Sequence, residues 1–264
     1  MLLTVVVILI YGTWNAEHPI VKTYDINLSK KAGRIKSLNI ALVTDIHIGK
    51  IIGNGRVLNM VNQINSLNPD IVIIAGDIVD NGVEPFVDEK IVETLRGIKA
   101  PLGTYAVPGN HDLMKGQLDK LIFYLESANI KMLIDNSIRV KDGFYIVGRM
   151  DASSQRAINI KRKDLKDLVM DLDKTLPIIL VDHQPVDLDI AEKEGIDIQL
   201  SGHTHRGQLF PNQIFTRRIY EIDWGHLKKG NFNVVVSSGF GTWGPRLRIG
   251  NKPEVVNIKV HFAK

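Results

Sequence analysis

Five apolar runs in this chain stop abruptly in short blocks of acids, histidines and glycines. They read SLNIALVTDIHIG, DIVIIAGDIVD, GTYAVPGNHD, LPIILVDHQP and IDIQLSGHTH. Short, β-branched, nearly continuous apolar runs predict strands buried on both faces. Between them, NGRVLNMVNQINSLNP, VEPFVDEKIVETLRGI, GQLDKLIFYLESANI, KRKDLKDLVMDLDKT and DLDIAEKEG carry helical spacing. Strand–helix alternation of this kind predicts an α/β fold. IKMLIDNSIRV and FYIVGRM, around Asp142-Gly143, predict a hairpin, and FNVVVSSGFGTWG with EVVNIKVHF predicts mostly antiparallel β structure near the C-terminus. There is no repeat and no linker, so one domain over residues 20–264 is expected.

Composition narrows the chemistry. The 264 residues are 44% hydrophobic, enough for a full core, and the net charge of +4 is mild, so no nucleic-acid partner is expected. There is no cysteine. Disulfides, thiolate metal sites and cysteine nucleophiles are therefore excluded, and any transition-metal site must use His, carboxylate and amide ligands. The G-x-S-x-G and G-K-[ST] motifs are absent, which removes serine-hydrolase and P-loop chemistry.

The first stretch, MLLTVVVILIYGTWNA, carries no charge before Glu17. Sixteen helical residues reach ~24 Å, short of a bilayer core of ~30 Å. No basic segment precedes the apolar run, so a signal peptide fits poorly. We expect residues 1–16 to be the end of a membrane anchor, with Trp14 at the interface and Lys30, Lys31, Arg34 and Lys36 near anionic headgroups. On that reading, residues 1–18 add nothing to the core and are dispensable. The competing reading is a buried strand, favoured by Val5, Val6, Val7, Ile8 and Ile10.

The polar blocks hold the chemistry. Ligands of α/β sheets bind beyond the carboxyl ends of the strands. The five blocks therefore deliver Asp45, His47, Asp77, Asn110, His183, His203 and His205 to one place. His203 and His205 alone are a weak signal, since eight histidines produce an H-x-H by chance in roughly one chain in four. In extended chain their rings would point to the same side. Seven ligands exceed one coordination sphere and suit two ions about 3.5–4 Å apart that share a carboxylate. Imidazole, carboxylate and amide donors favour Mn, Fe, Zn or similar divalent ions. Such a pair binds a phosphoryl group and turns a bridging water into hydroxide near neutral pH. His111, beside Asn110, is placed to protonate a leaving oxygen, with Asp112 expected to hold its tautomer. Asp80 is expected to support a ligand rather than bind metal, and Asp182 to do the same or face solvent. His18, His226 and His261 are expected at the surface. Arg246 either reaches a substrate phosphate or is an edge-strand charge.

In order, D-x-H, G-D-x-x-D, G-N-H-D, a lone His and G-H-x-H resemble the calcineurin-like metallophosphoesterase superfamily over residues 37–210. GTWGPRLRIGNKPEV near the end is similar to the membrane-associated bacterial branch that includes YkuE- and YaeI-like proteins. The resemblance implies a four-layer α/β/β/α sandwich of the metallo-dependent phosphatase type. It assigns Asp45, His47 and His205 to the first metal, Asp77 to both, and Asn110, His183 and His203 to the second. It gives His111 contact with the phosphate. It implies a phosphorylated small-molecule or lipid substrate and a place at the bacterial cell membrane. Monoester, diester and pyrophosphate substrates stay open, with UDP-diacylglucosamine as one lipid-linked example. Asn81 stands where the protein phosphatases of the superfamily carry arginine, which lowers that reading. The alternatives are a non-catalytic metal-binding scaffold of the same fold, or a nuclease or phosphodiesterase. The oligomeric state stays open.

Overall fold

The computed structural model describes residues 2–263. Its strands are β1 (Ile20–Asn27), β2 (Ser37–Val43), β3 (Ile71–Ala75), β4 (Thr104–Val107), β5 (Ile130–Met132), β6 (Asn136–Val140), β7 (Phe144–Gly148), β8 (Ile178–Val181), β9 (Ile198–Ser201), β10 (Gly225–Lys229), β11 (Phe232–Val236) and β12 (Glu254–His261). Its α-helices are α1 (Leu2–Glu17), α2 (Asn54–Ser66), α3 (Glu84–Asp88), α4 (Ile91–Arg96), α5 (Leu118–Ser127), α6 (Ser154–Ile158), α7 (Leu165–Val169), α8 (Leu188–Lys193) and α9 (Gln213–Ile219). Two six-stranded mixed sheets run β1-β12-β2-β3-β4-β5 and β10-β11-β9-β8-β7-β6.

The period of two along each strand assigns its residues to layers. In β2 and β3, Ala41, Val43, Val72 and Ile74 pack against Val57, Met60, Val61 and Ile64 of α2. The alternate residues Ile40, Leu42, Ile71 and Ile73 meet Ile179, Val181, Leu200 and Val235 of the other sheet. Ile178, Leu180, Val234 and Val236 face outward onto Leu165 and Val169 of α7 and Leu188 of α8. Three apolar layers between four structural layers give the expected α/β/β/α sandwich.

Some expected elements divide. The run at 130–140 splits, so that β5 joins the first sheet and β6 the second. Asp135 sits in the break with φ +47°, and its carboxylate accepts from Met150 N at 3.0 Å and Lys163 N at 2.8 Å. The helical pattern at 83–98 breaks at Lys90, φ +55°, into α3 and α4. The C-terminal strands are not simply antiparallel: β11 is parallel to β9, and β12 is parallel to β1 while antiparallel to β2.

The first segment is a helix, not a strand. β-branched residues disfavour helix by only a few tenths of a kcal/mol each, and a helix satisfies its own backbone where no strand is there to pair with. Residues 2–11 of α1 are exposed and apolar on all sides, but Gly12, Asn15 and Ala16 are buried. The expectation that residues 1–18 stand apart from the core is thus corrected. Asn15 Nδ2 donates to the carbonyls of Arg248 and Asn251 at 2.9 and 2.6 Å, and Arg248 N donates to Gly12 O at 3.0 Å. Arg56 adds guanidinium bonds to the carbonyls of Glu17 and Ala16 at 2.6 and 2.7 Å. These groups lie too far apart in sequence for local pattern to reveal the docking. Among the described residues, no helix is long and apolar enough to cross a membrane.

Candidate metal centre

The carboxyl ends of β2, β3, β4, β8 and β9 converge, bringing together six of the seven expected ligands and His111, whose N–H donates to Asp77 Oδ1 at 2.8 Å one residue beyond Asn110. Three sets of donors gather: Asp45, His47 and His205; His47, Asp77 and His111; and Asp77, His183 and His203. Within each, the donor atoms lie within 4.8 Å of one another. Asp77 belongs to two sets. Its Oδ2 is 3.3 Å from His183 Nε2 and 3.8 Å from His47 Nε2.

His203 and His205 do not face one point, as extended chain would require. β9 ends at Ser201, and both histidines follow it with positive φ, +72° and +48°. His203 Nδ1 turns to His183 Nε2 at 3.3 Å, whereas His205 Nε2 turns to His47 Nε2 at 3.1 Å and Asp45 Oδ1 at 3.3 Å. Asp45, His47 and Asp77 also adopt positive φ, a conformation costly for residues with a Cβ. Five of the expected ligands thus sit on left-handed backbone at the strand ends, which turns their side chains out of the regular strand alternation. Two glycines permit the crowding. A Cβ at Gly109 would collide with the Asp77 carboxylate, and one at Gly202 with that of Asp45.

The donor set fits divalent metal. Nitrogen atoms of His47 and His205 approach within 3.1 Å, which requires a cation between them or a proton on one. Asn110 Oδ1 is buried without a hydrogen-bond partner. His183 Nδ1 donates to Ala75 O at 2.8 Å, which leaves Nε2 as its free donor atom.

Charge follows geometry. Burial alone would raise the Asp77 carboxyl, but His183, and then His47 and His111, hold it well below the usual range. Burial alone would lower His183, yet Asp77 beside it keeps it well above the usual histidine range. Burial, with His47 and Arg248, pushes His205 well down, and burial with His183 lowers His203.

Asp112 does not hold His111. Its carboxylate accepts from Ile78 N and Val79 N, both at 2.9 Å, and from Gly109 N at 2.8 Å. It ties the Asp77 and Asn110 loops together, and burial with Asp77 nearby pushes it up to about 7. His111 Nδ1 instead donates to Asp80 O at 2.8 Å. The Asp80 carboxylate lies 3.7 Å from both His47 Nδ1 and His111 Nδ1, in the supporting place expected of it. Asp182 is not solvent-facing: it is buried between Arg149 at 3.3 Å and Arg162 at 3.0 Å. Arg246 does neither of the things expected, pairing instead with Glu17 of α1 at 2.9 Å and with Ile51 O at 2.7 Å.

Sequence reasoning passed over Arg248. It is wholly buried, bonds to the carbonyls of Ser238, Gly239 and Gly241, and brings Nη2 to 3.4 Å from His205 Nδ1. An arginine set between Leu247 and Ile249 was its only trace in the sequence.

Residues 38–207, which hold all of these ligands, match the sequence model of the calcineurin-like phosphoesterases. The chain belongs to the calcineurin-like phosphoesterase family. As a family member it is a metallophosphoesterase, with a phosphoric ester hydrolase fold and residues able to bind metal. Over its full length it is 29% identical to an uncharacterised metallophosphoesterase of Campylobacter jejuni, of which it covers 69%. It is 30% identical to one from Aquifex aeolicus over 91% of both chains. Over 99% of its length it is 30% identical to a Danio rerio transmembrane protein with a metallophosphoesterase domain, and spans 62% of that protein. Among solved structures, a 5′-nucleotidase precursor from Thermus thermophilus matches 85% of this chain and 54% of its own with TM-score 0.50 and 14% identity, which shows a shared fold.

Proposed function

We propose that this metallophosphoesterase hydrolyses a phosphoester or pyrophosphate bond with two divalent ions. Asp45, His47 and His205 would hold the first, Asn110, His183 and His203 the second, and Asp77 would serve both. The observation that carries the reading is the Asp77 carboxylate, whose Oδ2 stands between His183 Nε2 at 3.3 Å and His47 Nε2 at 3.8 Å, one histidine from each proposed set. When bound, a pair of ions supplies charge for the phosphoryl oxygens and lowers the pKa of a water toward neutrality. The chain's own part is positioning. Ala75 O orients His183, and the backbone N–H of His203 orients Asp45 at 3.0 and 3.1 Å. Asp80 O fixes Nδ1 of His111 as a donor, which leaves Nε2 to carry a proton to the leaving oxygen.

The exposed apolar surface of α1 favours a membrane-borne substrate, a nucleotide-linked lipid such as UDP-diacylglucosamine being one example, and a place at the cell membrane. The transmembrane description of the Danio rerio relative points the same way. A non-catalytic scaffold would be expected to have lost ligands or His111, and none is missing.

The test is phosphate or nucleotide release by the metal-loaded protein against monoesters, diesters and nucleoside-diphosphate lipids. Chelation should abolish turnover and Mn²⁺ should restore it at least in part. Full turnover by metal-free protein would overturn the mechanism.

A further inference from the structure

α9 is poorly partnered. Of its seven residues only Gln213 is buried. Phe215 and Ile219 are 57% and 71% exposed, Phe210 just ahead of the helix is 66% exposed, and Trp243 is 53% exposed. The Trp243 backbone is tied to the chain just ahead of Phe210, because Gln208 bonds both its carbonyl and its N–H, at 2.9 and 3.2 Å. Large apolar side chains gathered so mark a binding face.

The occupant follows from what this face is attached to. Residues 247–251 are held on one side by α1, through Arg248 N to Gly12 O and through the Asn15 bonds to Arg248 O and Asn251 O. On the other side, Ile249 O accepts from Phe210 N and from Gln213 Nε2, both at 2.9 Å. One short segment thus clamps the last turns of α1 to the first turn of α9, and wherever α1 goes α9 is carried beside its end. α1 is apolar around its circumference, which suits lipid and not water. Its polar break at Glu17 and His18 is the level at which it would leave the hydrocarbon. The charges agree with a headgroup layer. Arg217 and Arg218 are exposed on α9, Lys252 is exposed beside the clamp, and nearby Glu221 is paired with Lys229 at 3.0 Å.

We propose that Phe210, α9 and Trp243 form a second membrane contact that lies in the headgroup layer of an anionic bilayer beside α1. The proposal rests on the reading of α1 as lipid-embedded. Its consequence is access. The His203–His205 turn precedes the contact, and Tyr220, whose ring is 6.1 Å from that of His203, follows it. A phosphate at headgroup depth is thereby presented to the metal ligands.

The absence of cysteine makes the test direct. Phe215→Cys and, separately, Phe123→Cys on the exposed face of α5 are introduced into the full chain and labelled with an environment-sensitive dye. On phosphatidylcholine–phosphatidylglycerol vesicles, the dye at 215 should shift to the blue, brighten several-fold and be quenched by nitroxide-labelled lipid, while the dye at 123 stays in water. Arg217→Glu with Arg218→Glu should weaken the signal at 215 without releasing the protein. Vesicle-bound protein whose dye at 215 is as wet as that at 123 overturns the contact alone. Protein that does not bind vesicles overturns the reading of α1 and the contact with it. A dye at 215 that becomes shielded with protein concentration, without vesicles, assigns the face to a second copy of the chain and also overturns the proposal.

Discussion

The side chain of Asn15 donates 2.9 Å to the carbonyl of Arg248, whose own guanidinium ends 3.4 Å from the ring of His205. The last turn of an otherwise exposed helix is therefore two contacts, through the single residue Arg248, from a proposed metal ligand. Asn15→Ala would leave two buried carbonyls unpaired, at about 1–3 kcal/mol each. Thermal unfolding should show a fall in Tm of several degrees. Removal of residues 2–10 keeps every one of these bonds and should leave Tm close to that of the whole chain, whereas removal of residues 1–18 should not. Equal melting of the two truncations would refute the docking.

His111→Ala should retain its metal and lose rate by roughly 10²–10⁴-fold if the ring protonates the leaving group. The loss should shrink for nitrophenyl esters, whose leaving oxygen hardly needs a proton. The same loss with good and poor leaving groups would make His111 a stabiliser of phosphate charge instead.

Asp77→Asn should remove metal from both sets of donors, because its carboxylate reaches His183 on one side and His47 on the other. His205→Ala should affect the first set alone. Metal analysis after dialysis distinguishes them: a loss of one ion in each variant would end the shared-carboxylate argument.

Metal affinity should rise with pH. Asp77 keeps His183 protonated well above the usual histidine range in the absence of metal, and a ligating imidazole must give that proton up. The proton therefore competes at neutral pH, and competition fades as the pH climbs toward the folded-state value. Calorimetry of Mn²⁺ binding in buffers of different ionisation heat should show proton release. A pH-independent affinity with no release would contradict the Asp77–His183 pair.

Asp112 shows where local reading of the site failed. Its place next to His111 suggested that it served that ring, but its carboxylate accepts from three backbone N–H groups at 2.8–2.9 Å. Two of those groups lie more than thirty residues upstream, so chain adjacency carried no information about them. The same applies to Arg246, which the sequence left open between a substrate-facing and an edge-strand charge and which instead pairs with Glu17.

What the sequence by itself determined was local and periodic. Alternation along β2, β3 and β8 decided which residues face helices and which face the other sheet, because successive side chains of a strand point to opposite faces. The polar block at each strand end located the residues of the candidate metal centre, because α/β sheets gather such ends on one edge. Only the tertiary structure decided how that edge is divided. It turned His203 and His205 to different donor sets through left-handed backbone that the neighbouring packing imposes. It also docked α1 onto residues 247–251, through hydrogen bonds between groups 233 and 236 positions apart. Periodicity records the environment of an element, whereas the partner of a buried polar group depends on which distant segment the fold brings to it.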